Sequence, residues 1–194
     1  MKVYLDQSII IAWLQFKSEG IPHNDYIKKA KKADIRQKED LEAFAKIFNM
    51  HSVTFLYSRI NELEFSSDRK PLFDDFVSSD NFVKVPTVGN RICMDRELPK
   101  DNILVIGEVQ SYFASHIRKF GSKVIKGRDD FIKYMHKKFF DPIHIDSAIY
   151  AGADIFLTLD YRLLNSIDNH LDFRTFLASK ISLFTPSELI RQYG

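Results

Sequence analysis

Cysteine is nearly absent from this chain: Cys93 stands alone among 194 residues. That excludes an internal disulfide and any thiolate cluster for zinc, and Cys93 itself reads as a small buried apolar residue. Long hydrophobic runs are missing as well, none approaching the roughly 18 residues that cross a bilayer. The amino terminus reaches Asp6 before a signal-peptide core could form, so a cytoplasmic protein without membrane contact is expected. Glycine is sparse and never arranged as a Gly-x-Gly-x-x-Gly or phosphate-binding loop after the first strand, which leaves a nucleotide-binding reading without support. No repeat, low-complexity tract or linker interrupts the chain, and a net charge of +2 says little about partners.

What is present is enough apolar material, 45% of the residues, for one well-buried domain over 1–194. Apolar and β-branched runs at Lys2 to Leu5, Val53 to Tyr57, Phe82 to Val85, Ile155 to Leu159 and Ile181 to Phe184 read as strands. Helical spacing occupies Ser8 to Phe16, Asp25 to Phe48, Pro71 to Phe76, Asp101 to Phe120, Asp129 to Phe139 and Asp141 to Ala151. A last helix opens at Thr185-Pro186-Ser187-Glu188 with a cap, a proline and an early acid. Strands alternating with helices imply an α/β fold with parallel pairing by right-handed crossovers.

Charge is unevenly spread. Arg118, Lys119, Lys123, Lys126, Arg128, Lys133, Lys137 and Lys138 face only Asp129 and Asp130 in their stretch. Such an excess suits a phosphate backbone, and equally a solvated helix face. Phe131, Tyr134, Phe139 and Phe140 lie among these lysines, as core positions or as platforms for stacked bases.

The acids carry more. Asp6 and Asp160 close apolar strands, while Glu62 and Asp141 open helices that follow or feed strands. In a parallel sheet these positions share the carboxyl rim. Converging carboxylates repel, and oxygen-only ligands favour Mg2+ or Mn2+ over zinc, so a metal-dependent nuclease is expected. Asp6, Asp141 and Asp160 are the expected ligands, with Glu62 orienting a hydrated ion or attacking water. Ser8 and Thr158 are placed to hydrogen-bond the carboxylates, Thr158 on the face of Asp160 by strand alternation. His144, one turn past Asp141, suits helix packing better than ligation. Asp146 and Glu64 turn away from the rim by helical geometry and are the weaker choices. Each acid also has a local use: Asp141 before proline as a helix cap, Glu62 as a first-turn acid, Asp6 and Asp160 as turn formers.

Several motifs resemble those of one family. Met1-Lys-Val-Tyr-Leu-Asp6-Gln-Ser8 resembles the opening strand and Asp-x-Ser of PIN-domain nucleases, and Ser58-Arg-Ile-Asn-Glu62-Leu63 their second acidic motif. The block from Asp141-Pro-Ile-His144 through Ala151-Gly-Ala-Asp to Thr158-Leu-Asp160 is similar to their joined third and fourth motifs, and Ile181 to Leu189 to their last strand and helix. The resemblance implies a three-layer α/β/α sandwich on a central parallel sheet of four to five strands. It also implies metal-dependent endoribonuclease activity on RNA, with the acidic positions at Asp6, Glu62, Asp141 and Asp160. Many bacterial relatives (VapC-like toxins) are halves of toxin-antitoxin pairs, act as homodimers and are silenced by an antitoxin protein. Asp146 departs from the pattern, standing where many members have alanine, and the helices around 25–49 and the basic stretch 118–138 lie outside the shared core. Two other functions fit these residues: a degenerate module that binds RNA or a protein partner without cleavage, and a structure-specific DNA nuclease.

Overall fold

The computed structural model describes residues 1–18, 35–50, 52–63, 70–88, 107–111, 142–168 and 171–194. Alternation of strand and helix dominates them. The first half carries β1 (Lys2–Leu5), α1 (Gln7–Ser18), α2 (Ile35–Ile47), β2 (Thr54–Ser58), α3 (Arg59–Leu63), α4 (Lys70–Phe76) and β3 (Phe82–Val85). After a helical turn at 108–111 come helix α5 (142–150), β4 (Ile155–Leu157), α6 (Tyr161–Asp168), α7 (Leu171–Ala178), β5 (Ser182–Phe184) and α8 (Pro186–Tyr193).

The five strands form one all-parallel sheet in the order β3-β2-β1-β4-β5. Its central strands are buried on both faces, as parallel sheets require. Val3, Leu5, Phe55, Ile155 and Leu157 point to one face, where Ile9, Ile10 and Leu14 of α1, Phe44 and Ile47 of α2, Phe73 and Phe76 of α4 and Leu189 of α8 cover them. Tyr4, Leu56 and Phe156 point to the other, against Ile145 and Ala148 of α5, Leu163 and Ile167 of α6 and Phe173 and Leu177 of α7. This is the expected three-layer α/β/α sandwich. Each fully buried Leu, Ile or Phe contributes about 1.5–3 kcal/mol of transfer free energy, so the two apolar layers hold the sheet between them.

The order of the strands decides where a ligand would lie. From β1 the chain winds outward to β2 and β3 through helices on the first face. It then returns to β4 on the other side of β1, entering through α5 on the second face. The winding reverses between β1 and β4, and in open α/β sheets the crevice outside the carboxyl ends of the strands at such a reversal is where ligands bind.

The structure differs from sequence expectation in places. β4 stops at Leu157 instead of Leu159, because Thr158 and Asp160 are engaged in hydrogen bonds that turn the chain into α6. Helices α6 and α7, between β4 and β5, were not anticipated: their apolar positions are diluted by Arg162, Asn165, Asp172 and Arg174. Ser58 precedes α3 as expected of a cap, but its hydroxyl meets Tyr4 Oη at 2.8 Å. Asn61 reaches back to accept from Ser58 N–H, also at 2.8 Å. Cys93, the helix expected over 129–139 and most of that over 101–120 lie outside the described residues.

Candidate active site at the β1–β4 crevice

Asp6 leaves β1 and enters α1. Its N–H donates to Leu157 O at 3.0 Å and its carbonyl accepts from Ile9 N, so the backbone ties β1, β4 and α1 together. The residue is 5% exposed. A carboxylate so covered needs donors, and two hydroxyls supply them. Ser8 Oγ donates to Asp6 Oδ2 at 2.5 Å and Thr158 Oγ1 donates to the same oxygen at 2.7 Å. Each hydroxyl is itself fixed by the chain after β4: Leu159 N donates to Ser8 Oγ and Asp160 N to Thr158 Oγ1, both at 2.9 Å. With both protons on Asp6, the 3.2 Å approach of Ser8 Oγ and Thr158 Oγ1 is a contact and not a further bond.

Asp160 follows within the same knot. Its Oδ1 accepts from Arg162 N at 2.8 Å and Leu163 N at 3.1 Å, which makes it the cap of α6. The cap role and the rim position coexist. Asp6 Oδ2 and Asp160 Oδ1 are taken by the protein, whereas Asp6 Oδ1 and Asp160 Oδ2 receive no hydrogen bond among the described residues. The sequence brings Asp6, Ser8, Thr158 and Asp160 together as expected.

Glu62 behaves differently. It pairs with Lys84 of β3, Oε1 to Nζ 2.7 Å, on the β2–β3 side of the rim. Burial chiefly, then the charges of Glu62 and Asp74, raises the pKa of Tyr57 beside it. Among the described residues no group of three or more His, Cys, Asp or Glu side chains is close enough to hold a metal. Glu62 is thus not gathered with Asp6 and Asp160. Asp141 lies outside the described residues, as do Arg118, Lys119, Lys123, Lys126, Arg128, Lys133, Lys137 and Lys138.

His144 is packed inside, 1% exposed, with Nδ1 3.0 Å from Tyr4 Oη, as a packing histidine of α5 would be. Asp146 is committed elsewhere. Its Oδ1 accepts from Val109 N, and its Oδ2 from Gln110 N and Gln110 Nε2, all at 2.9 Å. Desolvation raises its pKa, outweighing the three donors that lower it. It anchors the helical turn at 108–111 and is no ligand candidate.

One buried acid escaped sequence reasoning. Asp40 of α2 is fully buried, accepting from Ser187 N at the start of α8 at 2.8 Å and from the Tyr161 hydroxyl at the start of α6. The signal was available: Asp40, Phe44 and Ile47 share one stripe by their spacing of four and three, so the acid had to point inward. Two clefts of about 330 and 400 Å³ lie against β5 and α8, and neither is lined by Asp6 or Asp160.

No family model, no curated protein and no solved structure matches the chain.

Proposed function

We propose that this chain is a PIN-type nuclease that hydrolyses RNA phosphodiester bonds with a divalent cation. The observation that carries the reading is the buried Asp6 carboxylate at the winding reversal, saturated by hydroxyls on one oxygen and open on the other, next to a half-buried Asp160 whose Oδ1 is held by two backbone N–H groups and whose Oδ2 is likewise open among the described residues. An all-oxygen donor set of this kind favours magnesium or manganese over zinc. Asp6 and Asp160 would hold the ion, with Asp141 as the third expected ligand. A bound cation supplies an activated water and neutralises charge at the phosphate.

The chain's own groups do the rest. Ser8 and Thr158 fix the Asp6 carboxylate in direction, so its open oxygen would meet an ion with little further rotamer loss. Glu62, held by Lys84, stands as a base or water-orienting group only if that ion pair opens. The same ion pair favours a second reading, a module that binds RNA or a protein partner without cutting. A DNA substrate is the third, since the chemistry is shared. The toxin half of a toxin-antitoxin pair, as a homodimer with an antitoxin partner, is the setting the motif resemblance suggests.

The test is incubation of the purified chain with single-stranded RNA and single-stranded DNA in manganese, magnesium or chelator, beside Asp6→Asn. Cleavage of RNA that needs the cation and Asp6 is the expected result. Cleavage surviving chelator overturns the mechanism, binding without cleavage selects the second reading, and preferential DNA cleavage the third.

A further inference from the structure

Gln7, the first residue of α1, is 9% exposed, yet among the described residues its Nε2 has no hydrogen-bond acceptor. Its orientation is forced by its neighbours. Ser58 N–H donates to Asn61 Oδ1 at 2.8 Å, so the other terminal atom of Asn61 is the nitrogen. That nitrogen donates to Leu5 O and to Gln7 Oε1, each at 3.3 Å. Turning the Gln7 amide over would set two donors against each other, so the open group remains the N–H2. A buried donor without an acceptor is destabilising, and native folds rarely keep one without a use.

We propose that Gln7 Nε2 is a recognition donor for a non-bridging phosphodiester oxygen of single-stranded RNA, an inference that rests on the nuclease reading. Three observations favour an anionic acceptor. Gln7 follows Asp6, and its partner Asn61 precedes Glu62, so the amide lies on the rim between the ends of β1 and β2. It stands at the amino terminus of a twelve-residue helix, whose field favours negative charge. Its unpartnered end, Nε2, offers only donors, which a cation cannot use. The atom is covered in the free protein, and the way out is cheap. Asn61 would keep Leu5 O if Gln7 turned out to meet the phosphate, so release would cost one long hydrogen bond.

The test compares wild type with Gln7→Met, which removes the donor at similar volume, and Gln7→Glu, which keeps an acceptor toward Asn61 and removes the donor. Thermal melting is read alongside anisotropy of labelled single-stranded RNA in calcium and cleavage of the same RNA in manganese. Gln7→Met is expected to melt no lower than wild type, and both variants to bind RNA about ten- to a hundredfold more weakly. A lower melting point for Gln7→Met, or RNA affinity within about twofold of wild type in either variant, overturns the role of Gln7. Wild type that binds RNA without cleaving it defeats the nuclease reading while leaving Gln7 to be judged by affinity. Wild type that neither binds nor cleaves defeats both.

Discussion

Thr158 donates its hydroxyl to Asp6 at 2.7 Å across 152 positions of sequence, and the same oxygen accepts from the backbone N–H of Asp160. One side chain therefore sets the direction of one carboxylate and the position of another. Thr158→Val keeps shape and removes both bonds. We expect a stability loss of about 1–2 kcal/mol by urea unfolding. The manganese concentration for half-maximal RNA cleavage should rise about tenfold or more. Unchanged manganese dependence would show that Thr158 only supports the fold.

Asp146 provides a pH prediction. Burial raises its pKa above the ordinary 3.8, so the folded protein holds this proton more tightly than the unfolded chain. The resulting stabilisation is complete below the ordinary value and lost as pH rises through the raised one. The difference in unfolding free energy between wild type and Asp146→Asn should therefore shrink as pH rises from about 4 toward neutrality. Asp146→Asn should cost about 2–4 kcal/mol, since an amide nitrogen would face backbone donors. Cleavage per folded molecule should stay near wild type; a folded but inactive variant would make Asp146 part of the site.

Gly107 is needed for room. A Cβ there would stand 2.0 Å from Asp146 Cγ, where no real contact exists. Gly107→Ala should destabilise by several kcal/mol, on the order of other buried overpacking, and Gly107→Ala combined with Asp146→Ala should recover part of that loss. Additive effects of the two changes would contradict the contact.

Asp40 links the start of α6 to the start of α8. Removing one partner of a buried charge leaves the other groups unsatisfied, so Asp40→Ala should cost about 3 kcal/mol. Tyr161→Phe alone should cost less, and a double-mutant cycle of Asp40→Asn with Tyr161→Phe should return a coupling of about 1–3 kcal/mol. Zero coupling would mean the two side chains do not meet in solution.

Legibility in the sequence followed the range of the interaction. β1 and β3 stand at their expected bounds because local alternation and Pro86 define them. Asp6, Ser8, Thr158 and Asp160 converge because strand ends in a parallel sheet converge, whatever the loops do. Glu62 shows the limit. Its partner Lys84 comes into reach only through the β2–β3 register, which pairs Tyr57 with Lys84. Asp146 was recognisable as turned from the rim, but its acceptor role depends on Val109 and Gln110, some 36 residues away. Nothing local in the sequence announces such partners.

The first strand waits for a late partner. β1 gains its β4 neighbour only when Ile155 to Leu157 has been made, and Asp6 gains Thr158 only after that. A ribosome-bound chain that has not reached residue 155 has one open sheet edge at β1 and an Asp6 carboxylate without its Thr158 donor. Whatever chemistry the crevice performs thus depends on residues 155–160 as much as on Asp6.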